Sequence, residues 1–407
     1  MSYRSVVIIV ATLVALLTTV PAIAASPEAT LEGRAVLPAD TFAEGPPSGS
    51  QLGTAPINGF TPPFDSQPVQ GISAVLDAGG GEYWAMSDNG FGSKSNSSDF
   101  LLRMYRIRPD FETASGGGEI SVEDFIQLQD PDRHIPFQIV NKGTKERLLT
   151  GADFDIESVR QDQQGDLWFG DEFGPFLLHT DATGKVLEAP IPLPGVKSPQ
   201  NPTIKTNEET NLPASRGFEG TAISEDRKTL YPMLEGALSD DPDQNRRYIY
   251  EFDLESKSYT GERWQYRTEE PGHAIGDLTA LDQNRMLVIE RDNLQGTAAQ
   301  FKKIYLIDLR RTDASGFLVK QEILDLLDIS DPNLISLPAR EGDVGLGNPF
   351  SFPFQTIESV LPLGDGRLLV LNDNNYPFST GRNPELPDDT EAIVVRLNAL
   401  KGGKEKQ

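Results

Sequence analysis

The sequence predicts an all-β protein, a β-propeller, on three observations. One unit recurs five times: an acidic residue near the start of a short apolar segment, a polar turn, and a second apolar segment that ends in carboxylates or amides. Each copy carries at least three strand-like runs separated by Gly, Pro, Asn or Asp turn residues. The chain also holds 37 Gly and 30 Pro, a turn-rich composition. Small antiparallel sheets that recur along a chain, each unable to bury both of its faces alone, are what a propeller is made of.

The best-formed copy runs through Phe154-Asp155-Ile156-Glu157-Ser158-Val159 and then Gly165-Asp166-Leu167-Trp168-Phe169-Gly170-Asp171-Glu172-Phe173-Gly174-Pro175. The copies align at Gly71, Glu157, Glu219, Asp277 and Glu358, in steps of 86, 62, 58 and 81 residues. These steps read as one unit with insertions, and the length remaining after the leader gives six blades, with five or seven as alternatives. The sixth is expected at residues 119–140 or from both chain ends. Pairing of 31–37 with 392–397 would close the ring and remove two sheet edges. Helical periodicity is sustained mainly over 321–329, and the Pro-, Asn- and Gly-rich stretches 189–216 and 330–354 read as long loops on one rim.

Ahead of the units, Arg4, an apolar run over 6–20 and the small-x-small pattern Ala22-Ile23-Ala24 predict a secretory signal peptide over residues 1–25 and a secreted or periplasmic protein. A strand and a Pro/Gly-rich loop fill 26–69, the propeller domain 70–400, and a charged tail 401–407. No later stretch has the apolar length of a membrane-spanning helix. The absence of cysteine excludes disulfides, thiolate metal sites and thiol catalysis. Sixty-one acidic against 36 basic residues give a net charge of −25, which disfavours nucleic acid and anionic membranes and favours a cation as partner. A monomer is expected.

In a propeller the first strand of each blade lines the central channel, so equivalent residues form rings. Glu157, Glu219, Asp277 and Glu358 make a first ring; Asp88, Asp171, Glu172, Glu235, Glu290 and Asp373, at the ends of the second segments, make another. Carboxylates gathered in this way repel one another unless a cation sits among them. Oxygen ligands of mixed charge suit Ca²⁺ better than zinc. Asp, Asn and Gly at strand ends also serve as turn formers, but recurrence and the acid at each unit start exceed what turns require. His134, His179 and His273 fall outside the rings and no Gly-x-Ser-x-Gly elbow occurs, so a Ser/His triad is not supported.

The Asp171-Glu172-Phe173-Gly174-Pro175 and Arg216-Gly217-Phe218-Glu219-Gly220 motifs resemble those of the bacterial family called phytase-like, or esterase-like activity of phytase, and the resemblance spans 70–397. It implies a secreted propeller related to calcium-dependent β-propeller phytases and acting on a small-molecule ester or phosphoester. By position, Glu157, Asp171, Glu172, Glu219, Glu290 and Glu358 would be metal ligands. Glu219, Asp171 and Glu172 would be the catalytic candidates, and Arg216 and Arg291 the phosphate contacts. No dense Lys and Arg cluster accompanies the acids, which argues against phytate and for a single phosphate or carboxylic ester. Two other readings stand beside this one: a non-catalytic propeller with structural calcium that binds a protein, peptide or glycan through its rim loops, and a calcium-dependent lactonase.

Overall fold

The structure is a computed structural model that describes residues 29–113 and 117–400; residues 1–25, expected as a signal peptide, and the charged tail 401–407 lie outside the described residues. Strand β1 (Ala29–Leu37) is followed by a short pair, β2 (Phe42–Ala43) and β3 (Gln67–Pro68). The first blade contains β4 (Ile72–Gly79), β5 (Glu82–Ser87), β6 (Arg103–Asp110) and β7 (Glu119–Gln127). The second contains β8 (Ile156–Gln161), β9 (Leu167–Asp171), β10 (Phe176–Thr180) and β11 (Ile191–Pro192). The third contains β12 (Phe218–Ile223), β13 (Thr229–Leu234), β14 (Arg246–Asp253) and β15 (Ser258–Arg267). The fourth contains β16 (Ala274–Ala280), β17 (Arg285–Arg291), β18 (Lys302–Thr312) and β19 (Leu318–Asp325). The last is built from β20 (Thr356–Gly364), β21 (Arg367–Asp373), β22 (Thr390–Leu397) and, from the other end of the chain, β1.

The described residues therefore form five four-stranded blades rather than six, the first and last joined into one eight-stranded sheet, beside the two-stranded β2–β3 pair. Residues 119–127 are the outer strand of the first blade, not a blade of their own. A lone parallel bridge, Val36 to Glu119, ties β1 to β7 and joins the first and last sheets at their outer edges. The expected closure holds: β1 pairs antiparallel with β22 from Ala29 opposite Leu397 to Leu37 opposite Thr390. At this seam the buried Glu391 accepts from Arg34 (2.9 Å) and Arg382 (2.8 Å). The stretch with helical periodicity is instead strand and turn, with β19 paired along β18, so tertiary pairing overrode the local pattern. The only helices among the described residues are 3₁₀ turns, and none is long and apolar enough to cross a membrane.

Each strand alternates its side chains between two faces, and neighbouring blades pack face to face. Five apolar clusters fill the five gaps. Ile156, Val159 and Phe169 meet Ala74, Met86 and Met104; Trp168 and Leu177 meet Phe218, Leu230 and Phe252. Trp168 and Phe169, adjacent in sequence, thus fill opposite gaps. The innermost strands β4, β8, β12, β16 and β20 contact one another in a closed ring around the channel.

Candidate functional site

Every innermost strand contains an extra residue relative to its partner near its start. The register shifts between Ile72 and Ala74, Ile156 and Ser158, Phe218 and Gly220, Ile275 and Asp277, and Ile357 and Ser359. The bulged residues are Ser73, Glu157, Glu219, Gly276 and Glu358, and bulges of this kind re-aim a side chain out of the pleat. One carboxylate oxygen from each of Glu157, Glu219 and Glu358 lies within 4.8 Å of the others. Ser73 joins this layer by donating its hydroxyl to Glu358 Oε2 at 3.1 Å.

The second strands supply the next layer. On each second strand, the residue that follows the partner of the position before the bulge is Asp88, Glu172, Glu235, Arg291 and Asp373, from the first blade to the last. Two further carboxylate triads, Asp155–Glu157–Glu172 and Glu172–Glu219–Glu235, share members with the first. Arg291 Nη2 donates to Glu358 Oε1 at 2.8 Å and stands 3.6 Å from Glu235 Oε1; Arg216 pairs with Glu235 at the more exposed rim.

Burial, reinforced by mutual repulsion, holds the carboxyls of Asp88, Glu157, Glu172 and Glu219 well above the ordinary range. Burial likewise pushes Asp155 and Asp373 up to about 6 and Glu358 to about 7, the last against the pull of Arg291. Hydrogen bonds satisfy part of the set: Asn89 Nδ2 donates to Asp155 Oδ1 (2.6 Å), Gly90 N to Asp88 Oδ1 (2.7 Å) and Thr356 Oγ1 to Asp373 Oδ2 (3.0 Å). Glu172 Oε1 and Glu219 Oε1 are buried with no hydrogen-bond partner.

Asp88, Glu157, Glu172, Glu219, Glu235, Glu358 and Asp373 thus come together with Arg216 and Arg291, while Asp171, Asp277 and Glu290 do not join them. Asp171 faces the other side of β9 and accepts from Asp155 N (2.9 Å) and Gly174 N (2.8 Å), fixing the turns that carry Asp155 and Glu172. Burial pushes it up to about 7 despite those bonds. Asp277 was aligned one residue out of step, because the bulge of β16 falls on Gly276. A Cβ there would lie 2.1 Å from the Ile357 carbonyl oxygen, so the fourth blade has no room for a side chain at that place. Asp277 sits one residue farther along, accepting from Arg160 Nη2 (3.1 Å) and Val360 N (3.0 Å).

Glu290 points to the opposite face from Arg291, where Tyr266 (2.7 Å), His273 (2.9 Å) and Lys320 (2.8 Å) surround it. Burial works against its charge, but His273 and Lys320 outweigh that and keep its carboxyl below the usual range. Two residues escaped the sequence argument. Asp155 lies two positions before Glu157, on the same face, a spacing that could have revealed it. Lys94, on the loop after β5, donates to the Gln200 carbonyl at 3.1 Å and sits over the Phe173 ring; no motif marks it. The rim loop 189–216 borders the site, since Ser215 Oγ reaches Asp155 Oδ2 at 3.4 Å. Arg216, Glu235, Arg247 and His273 line a cleft of about 160 Å³ alongside.

Fold and site together define an all-β, propeller-like protein whose channel ends in a buried carboxylate cluster. The chain belongs to the phytase-like family, described as esterase-like activity of phytase, whose model matches residues 67–376. A relative from Arthroderma benhamiae, described as an uncharacterized secreted protein, is 26% identical over 183 residues, and the match covers 36% of each chain. Among solved structures, a GH43 β-1,3-galactosidase bound to galactodeoxynojirimycin is 12% identical, covers 81% of this chain and 91% of its own, and gives a TM-score of 0.39. YCF48 from Cyanidioschyzon merolae is 12% identical, covers 80% and 68%, and gives 0.32.

The donor set fits the metal dependence of such a family. It offers oxygen ligands only, gathered in overlapping triads, with two buried carboxylate oxygens that no protein donor reaches. Hard cations take this kind of site.

Proposed function

We propose that the protein is an exported, calcium-dependent hydrolase of small phosphoric or carboxylic esters. The observation that carries the proposal is the convergence of Glu157, Glu172, Glu219 and Glu358 on one channel end, with Glu172 Oε1 and Glu219 Oε1 left without partners. Membership in the phytase-like family supports the reaction class, and the secreted relative supports export.

The ligands would be Asp155, Glu157, Glu172, Glu219, Glu235 and Glu358, with Asp88 and Asp373 adding charge behind them. Bound Ca²⁺ would offset their repulsion and polarise a water and an ester oxygen. Glu219, at the bulge of β12, is the residue that takes a proton from the attacking water, at its unpartnered Oε1. Arg216, partly exposed at the rim, receives the anionic end of the substrate and orients it over the cluster. Arg291 is already committed to Glu358, so it holds that carboxylate in place and contributes positive charge from behind.

Hydrolysis of a generic phosphomonoester and a generic carboxylic ester, with calcium and then with chelator, tests the proposal. Turnover that requires calcium is the expected result. No turnover on either substrate, together with a calcium-dependent melting temperature, would sink the hydrolase reading and leave a metal-stabilised binding propeller.

A further inference from the structure

At the other ends of the same strands, away from the channel acids, a second set of ligating side chains meets. Asp162 and Asp166 bracket the turn between β8 and β9, and His179 lies on β10 opposite Trp168. One ligand atom from each of the three lies within 4.8 Å of the others. Asp162 is immobilised: its Oδ1 accepts from Gln164 N (2.9 Å) and Asp166 N (3.0 Å), and its Oδ2 from Trp168 Nε1 (3.0 Å). The Trp168 indole stacks on the His179 ring at 3.9 Å and 13°, and His179 is 5% exposed.

His179 Nδ1 is 2.7 Å from Glu188 Oε1, which Lys257 Nζ also reaches at 2.6 Å. An ionised Glu188 beside a lysine is an acceptor, so Nδ1 carries the hydrogen and the Nε2 of a neutral ring presents a lone pair. That Nε2 is buried, has no hydrogen-bond partner, and faces Asp166 Oδ2 at 3.7 Å. A cation between these two acceptors would satisfy both at once.

We propose that Asp162, Asp166 and His179 bind a divalent d-block cation, for which Zn²⁺ is the best match. Imidazole with carboxylates suits such ions, whereas Ca²⁺ takes oxygen alone. Bonds of about 2.0–2.2 Å at a tetrahedral angle hold two ligands about 3.3–3.6 Å apart, and the 3.7 Å separation is within about 0.4 Å of that range. Glu188 plays the part of the carboxylate that fixes a ligating histidine through its other nitrogen. The ion would tie the β8–β9 turn to β10 in a chain that has no cysteine to do so.

The test uses the whole protein, saturated with calcium so that the channel carboxylates are engaged. Zn²⁺ is titrated calorimetrically, and Co²⁺ by visible absorption. One Zn²⁺ per chain is expected, with Co²⁺ bands of a nitrogen-containing site. H179Q and D166N should remove this binding, E188Q should weaken it about 10–100-fold, and E219Q should leave it unchanged. Unaltered melting of metal-free D166N, a change at a partly exposed residue, keeps loss of the site distinct from loss of the fold. Zinc binding that survives H179Q but not E219Q, or no zinc binding at all, overturns the proposal. So does ¹⁵N NMR of the metal-free protein showing both His179 nitrogens protonated at neutral pH, which would make the Asp166 contact an ion pair.

Discussion

Glu219 and Glu290 are both buried glutamates, yet their surroundings give them opposite roles. Glu219 is surrounded by Glu358, Glu235 and Glu172 and has one oxygen without a partner; Glu290 has a donor from each of Tyr266, His273 and Lys320. Replacing Glu219 by Gln removes a repelling charge as well as a ligand. Ester hydrolysis should fall by about 10² or more, calcium affinity should drop in a calorimetric titration, and the chelated protein should melt no lower than wild type. Glu290→Gln removes one of the two carboxylates that hold Lys320, leaving Glu269 at 3.0 Å, and weakens the hydrogen bonds from Tyr266 and His273, a loss of about 1–3 kcal/mol. Denaturant unfolding should register that loss while calcium titration remains as in wild type. A Glu290→Gln variant that lost calcium but not stability would restore Glu290 to the metal site.

Among the elements, the repeating innermost strand was legible from the sequence, and its register was not. Apolar alternation and turn residues located the first two strands of every blade, and the acids near their starts pointed to Glu157, Glu219 and Glu358. A bulge shifts register by one residue without changing composition, so Asp277 was matched to a place that Gly276 occupies. The preferred count of six blades, rather than its alternative of five, went astray for a similar reason. Long rim loops such as 330–354 contribute length but no sheet, so dividing length by repeat overcounts. The alternation of faces on β17 was readable, but which face meets the channel depends on the bulge, and that decided between Arg291 and Glu290. Gly276 itself supplies the check. Gly276→Ala would drive a methyl into the Ile357 carbonyl, a backbone atom that cannot rotate away. Overpacking costs about 1–3 kcal/mol, so thermal melting should fall, and calcium affinity with it, because β16 and β20 would be pushed apart beside Glu358.

Across the whole molecule, the carboxylate cluster makes stability depend on pH in a direction opposite to that of most proteins, and calcium should reverse it. Asp155 and Asp373 titrate near 6 and Glu358 near 7 in the folded chain, against about 4 when unfolded. Below about pH 4 both states hold these protons and the groups contribute nothing. Between that point and pH 6–7 the folded state keeps protons that the unfolded chain has released, so each rise in pH favours unfolding. Above pH 7 the full penalty remains. A cation replaces those protons only after they leave, so calcium binding strengthens across the same window. At free calcium 100 times its dissociation constant it contributes about 2.7 kcal/mol. Melting curves at pH 5 and pH 8, each with chelator and with calcium, should therefore cross. The chelated protein should melt higher at pH 5 than at pH 8, and the stabilisation by calcium should be large at pH 8 and small at pH 5. An equal calcium shift at both values would mean that the ion binds away from the protonated cluster, and the channel assignment would fall with it.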